Sequence, residues 1–158
     1  MMVESSVWPR IEMLYRSDLD QFVRLSRAIT GDRESALEAV QDGFADALRH
    51  AQQWDGRGSL EGRVWRCVVN RARKARPRPA ANIPSRHGDG HEESDDAELR
   101  SRLAVLPERQ RLCVFLRYFA DLEYREIAAV LGIEVGTVSA TLHAAHAALR
   151  TALLEVRA

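Results

Sequence analysis

Seven cations, Arg63, Arg66, Arg71, Arg73, Lys74, Arg76 and Arg78, fall in one stretch that contains no Asp or Glu, with Trp54 and Trp65 beside them. Cations at that density create a positive field, and aromatic faces among them can hold an unstacked base, so the segment suits an anionic polymer. A solvated helix face is the plainer reading of three or four such charges, and seven without a counter-charge go beyond it. Catalysis has no comparable signal. There is no phosphate-binding glycine loop, no nucleophile with a placed base and no carboxylate pair framing a concave site, so no enzyme and no cofactor are expected. His143 and His146 lie one helical turn apart, but without a third ligand no metal is expected. Cys67 and Cys113 stand alone in apolar stretches, which suits core packing.

The chain as a whole hides this strip, because its 158 residues carry 23 Lys+Arg against 23 Asp+Glu. Residues 1–76 hold 13 Lys+Arg and 11 Asp+Glu, 77–98 hold 2 and 6, and 99–158 hold 8 and 6. Two slightly basic lobes therefore flank an acidic segment. Pro77, Pro79 and Pro84 break helix there, and Ser85, Gly88, Asp89, Gly90 and Ser94 give no apolar period, so 77–97 reads as a flexible tether. Composition, 46% hydrophobic and 29% charged, is that of a globular protein. Uncharged runs such as 135–149 are rich in Ala, Ser, Thr and His and fall short of the roughly 20 strongly apolar residues a bilayer requires. Residues 1–16 carry Glu4, Trp8, Pro9, Arg10 and Glu12 where a secretory signal needs an apolar core. A cytoplasmic protein without membrane contact is expected.

The elements that position the cations are helical, since period 3.6 recurs throughout and no stretch alternates. Ile11, Leu14, Tyr15, Leu19, Phe22, Leu25 and Ile29 form one stripe that stops at Gly31. Asp32 suits the cap of a second helix with Ala36, Val40, Phe44, Ala47 and Leu48 inward. After the loop at 55–59, Ser59 can cap a third helix that turns Leu60, Val64, Cys67 and Val68 inward and throws Arg66 and Arg73 outward. In the second lobe, Pro107 suits a first turn, with Leu112, Cys113, Leu116 and Phe119 on one side. Ile127, Ala128 and Leu131, a turn at Gly132 and Ile133, and a helix from near Val135 then make a helix-turn-helix, whose second helix buries Val138, Leu142, Ala145, Leu149, Ala152 and Val156. The fold class is all-α: a three-to-four-helix bundle over 10–76, the tether over 77–97 and a helix-turn-helix domain over 98–156.

Over nearly its whole length the chain resembles RNA polymerase sigma factors of the extracytoplasmic-function group, the two-domain members of the sigma-70 superfamily. LPERQRLCVFLRYFADLEYREIAAVLGIEVGTV resembles the family's region 4, ESALEAVQDGFADAL its region 2.2, and WDGRGSLEGRVWRCVVNRARKAR its regions 2.3 and 2.4. The resemblance implies docking of Glu38, Gln41, Asp42 and Asp46 on the beta-prime clamp helices of core polymerase. It implies reading and melting of the minus-10 element by Asn70, near a flipped base, with Arg71, Arg73, Lys74 and Arg76 along the DNA path. Trp54, Arg57, Ser59, Arg63, Trp65 and Arg66 complete that surface. Minus-35 contacts would fall to Tyr124, Arg125, Thr137, Ser139, Thr141, His143, His146 and Arg150. Implied partners are core polymerase, including its beta flap, promoter DNA, and an anti-sigma factor or activator. The acidic segment is similar in charge to family linkers that thread the RNA channel, or it is a solvated tether.

Two departures bear on these roles. Where the family usually has Trp followed by Leu and Tyr, this chain has Arg63, Val64 and Trp65, so Trp65 either replaces the lost aromatic from a shifted position or belongs to the core. After GTV the usual cations are absent: Ser139, Ala140, Thr141, Ala144 and His146 stand there, Arg150 is the first full cation, and Glu134 takes the usual Ser or Thr cap. Three missing phosphate contacts would weaken minus-35 affinity by roughly one to two orders of magnitude at moderate salt. A sigma factor with weak minus-35 contacts is the leading expectation. The alternative is a sigma-like module whose region 4 docks a protein partner, and a stand-alone repressor is disfavoured by the poor charge of 137–149.

Overall fold

The computed structural model describes residues 4–75 and 103–157, which carry six α-helices and one 3-10 turn at Ala51–Gln53. The helices are α1 (Glu4–Thr30), α2 (Arg33–Arg49), α3 (Leu60–Lys74), α4 (Glu108–Tyr118), α5 (Tyr124–Leu131) and α6 (Val135–Arg157). Among the described residues no single helix is long and apolar enough to cross a membrane. Arg76, Arg78 and the acidic segment 77–97 lie outside the described residues.

Local chemistry sets the helix ends in the first lobe. Gly31, at φ 92°, takes the left-handed conformation that stops α1, and its N–H reaches the Arg27 carbonyl at 2.8 Å. Asp32 then caps α2 by accepting from the Ser35 N–H at 2.7 Å. Ser59 caps α3 in the same way, accepting from the Gly62 N–H at 2.9 Å. The expected stripe of α1 is inward, with Ile11, Leu14, Phe22, Leu25 and Ile29 buried and Tyr15 and Leu19 partly so.

Helices α2 and α3 cross with almost no space between them. A Cβ at Gly43 would stand 2.6 Å from the Val68 Cα, a backbone atom that cannot move aside without shifting α3. Gly43→Ala should therefore destabilise the first lobe by about 2 kcal/mol, beyond what the better helix propensity of alanine returns, as read by urea unfolding.

The second lobe has the expected helix-turn-helix. Gly132 at φ 68° closes α5, the Ile133 N–H reaches the Ala128 carbonyl at 3.0 Å, and α6 leaves at 99° to α5. Val138, Leu142 and Ala145 of α6 are buried and Leu149 partly so, but Leu153 is half exposed because α6 runs past its partners. Phe119, expected inward, lies just beyond α4 and stacks on Phe115 with ring centroids 5.1 Å apart.

The lobes do not stand apart; one apolar core runs through both. Trp65 of α3 is the pin. It stacks on Phe22 of α1 at 3.9 Å and meets Phe115 of α4 edge-on at 6.1 Å. Next to it, Gly62 faces α5 so closely that a Cβ there would lie 3.4 Å from the Glu126 Cβ. Helix α3 is thus covered on two sides, which leaves a single face for anything else.

Candidate nucleic-acid interface

That remaining face carries the cations. Arg66, Asn70 and Lys74 are exposed at i, i+4 and i+8, one row along α3, with Arg63 and Arg73 half-buried at its edge. Arg63 donates to the His50 carbonyl at 3.1 Å and so ties α3 to the turn that leads into Trp54. The loop after that turn bends at Gly56 and Gly58, with φ 81° and 70°. Its Trp54 is half-buried, donates through Nε1 to the Arg57 carbonyl at 3.3 Å, and carries the Arg10 guanidinium 5.5 Å from its ring centre. The Arg57 side chain is 92% exposed, 3.6 Å from Asp55. A row of cations leading to one half-open aromatic can track a phosphate backbone and hold an unstacked base.

Four expected contacts are placed differently. Trp65 is 2% exposed, so the burial demanded by its two aromatic partners takes it away from any base. Arg71 and Asp46, expected at DNA and polymerase respectively, hold one another: Nε to Oδ2 at 2.5 Å and Nη2 to Oδ1 at 2.8 Å. Asp46 also accepts from Arg49, and its side chain is only 20% exposed, so it serves the α2–α3 junction instead of the open face of α2. Ser59 spends its hydroxyl on the cap. Arg76 lies outside the described residues.

The hydrogen bonds from Arg71 hold the Asp46 carboxyl below its ordinary 3.8. A depressed folded value means that the pair contributes stability above the unfolded pKa and loses it as pH falls through the folded one. Asp46→Asn should therefore be less stable than the parent at neutral pH, and the gap should close below pH 3.8; thermal unfolding across that range reads it. Burial pushes the Cys67 thiol up and the Cys113 thiol up to about 11, so both stay protonated and inert at neutral pH.

The other two expected surfaces lie on other helices. Glu38, Gln41 and Asp42 are exposed together on α2. In the second lobe, Ser139, His143, His146 and Arg150 are exposed on α6, with Thr137 and Thr141 half-buried. His146 is already bonded to the Tyr118 hydroxyl at 2.8 Å. Tyr124, 39% exposed, has the Arg117 guanidinium 5.7 Å from its ring, and Arg125 is exposed beside it. No residue before Arg150 gives α6 a permanent positive charge. Among the described residues no group of three His, Cys, Asp or Glu converges to hold a metal. The residues that sequence reading missed are Arg10 and Tyr118, which join the site only through partners remote in sequence.

The family described as "Sigma-70 region 2" matches residues 14–78, and the one described as "Sigma-70, region 4" matches 96–149. The chain is 32% identical over 153 residues to the RNA polymerase sigma-E factor of Streptomyces avermitilis, spanning 90% of this chain and 84% of that one. It is 27% identical to the RNA polymerase sigma factor YlaC of Bacillus subtilis, over 93% and 94% of the two chains. Its fold is similar to that of CnrH in complex with the cytosolic domain of CnrY, with a TM-score of 0.70 at 23% identity over 98% and 93% of the chains. It is similar also to the sigma factor RpoE from Bartonella quintana in complex with the anti-sigma factor NepR, with a TM-score of 0.69 at 18% identity over 90% and 95%.

Proposed function

Since this chain belongs to the sigma-70 family, as an RNA polymerase sigma factor of the extracytoplasmic-function group, we propose that it directs core polymerase to promoters and opens the minus-10 element with α3. The observation that carries the reading is the division of its surface. The row Arg66, Asn70 and Lys74 faces solvent on α3, while the exposed Glu38, Gln41 and Asp42 occupy a different helix. One helix can then hold the clamp helices of beta-prime while the next holds a single strand, with no competition between the two. In this reading region 2 spans 10–76, the acidic linker 77–97 and region 4 98–156, and the protein acts in the cytoplasm as an initiation factor and not as an enzyme.

Region 4 contributes little charge. Through α5 and the first half of α6 it offers Tyr124, Arg125 and neutral donors such as Ser139, Thr141 and His143, so minus-35 contacts are weak and the beta flap helps to hold the domain over DNA. A region 4 that docks only protein is the less economical reading, because the family match runs through the whole helix-turn-helix. Two neighbours of similar fold were solved with partner proteins, CnrY and the anti-sigma factor NepR. An inhibitory partner of that kind is proposed here too. Run-off transcription with the cognate core polymerase across genomic promoter fragments tests the function: initiation that depends on this chain supports it, and none from any fragment would sink it.

A further inference from the structure

We infer that Arg10 is an additional phosphate contact for the melted DNA strand, held in place over Trp54 at the end of the α3 row. The inference rests on the reading of that row as the DNA path. Its basis is Trp54, whose ring carries the Arg10 guanidinium and whose loop is fixed by the Arg57 backbone and the Arg63 side chain. Arg10 comes from α1 and lies 5.5 Å from the Trp54 ring centre. Arg57 comes from the loop and takes the indole N–H on its carbonyl at 3.3 Å. Arg63 comes from α3 and grips the His50 carbonyl, at the turn that leads into Trp54, at 3.1 Å.

Arg10 is exposed, and no carboxylate pairs with it among the described residues. An arginine in that state would ordinarily be a hydrated, mobile chain. Here the ring restrains it without consuming its N–H donors, so less side-chain entropy remains to be lost when those donors take a phosphate. Stacking on an aromatic with a cation at the adjoining phosphate is how single strands are held without a duplex groove. Arg10 precedes residue 14, where the match to region 2 begins.

Holoenzyme assembled from the full chain and core polymerase, titrated with a fork-junction promoter fragment whose minus-10 strand is unpaired, tests the proposal. Salt would be varied from about 50 to 200 mM. Arg10→Gln should flatten the dependence of log affinity on log salt by about 0.7, the value for one single-strand phosphate, with roughly a 3- to 10-fold loss near 100 mM. Arg10→Lys, which keeps the charge, should keep the slope. An unchanged slope in Arg10→Gln overturns the proposal, and so does an equal loss in Arg10→Lys, which would mark a packing role for the loop. A loss confined to core association measured without DNA overturns it as well. If the parent holoenzyme itself fails to capture the fork, the reading of the α3 row has failed, and that is visible before any variant is compared.

Discussion

Trp65→Ala is expected to cost the fold about 3–5 kcal/mol, the range for truncating a fully buried aromatic. The side chain is 2% exposed and is enclosed from two directions, by Phe22 of α1 at 3.9 Å and by Phe115 of α4 at 6.1 Å. Helices of both lobes bound the space it fills, so no single side chain can collapse into the cavity. Both lobes should therefore lose stability together, and urea unfolding of the full chain should shift to lower midpoint as one transition. Trp65→Phe keeps a ring against Phe22 and should recover most of the loss. The opposite pattern, an unchanged midpoint with failure of strand opening at a promoter, would return Trp65 to the DNA surface and remove it from the core.

Helix identity and helix ends were legible because their causes are local. The stripe from Ile11 to Ile29, the caps at Asp32 and Ser59 and the turn at Gly132 each depend on residues within a few positions of one another, and each is found in the structure. The docking of one lobe on the other depends on Phe22, Trp65 and Phe115, which no periodicity connects. A single-stripe reading of α3 turns Cys67 inward and leaves Trp65 uncertain. In fact α3 is covered by α2 on one side and by the second lobe on another, so Trp65 and Val69 are buried and Cys67 is only half so. The site divides in the same way. Arg66, Asn70 and Lys74 fall out of helical spacing alone, whereas the pairing of Arg71 with Asp46 spans 25 positions and turns two expected ligands into a brace. Charge counting found the strip but could not tell which of its members are already engaged.

Reversing two charges of the open row, Arg66→Glu with Lys74→Glu, is expected to lower holoenzyme affinity for a minus-10 fork fragment about 100-fold near 0.1 M salt, equivalent to about 2.7 kcal/mol. Both side chains are exposed and neither forms an ion pair with a described residue, so their loss orphans no buried partner. Stability should stay within about 0.5 kcal/mol of the parent, which separates this double variant from Trp65→Ala. Removing two phosphate contacts flattens the salt dependence by about 1.4 to 1.8, and the added acids repel the backbone further. The loss should be nearly the same on a fragment that lacks the minus-35 element, because α6 carries no permanent cation before Arg150 and so has little charge with which to compensate. A double variant that binds as the parent does, or one that fails only when minus-35 DNA is present, would move the main DNA contact from α3 to the helix-turn-helix. If the loss is confined to fragments with an unpaired strand, the cations of α3 act on melted DNA, and the sparse charge of α6 fits the proposed function, in which polymerase holds the chain at the promoter.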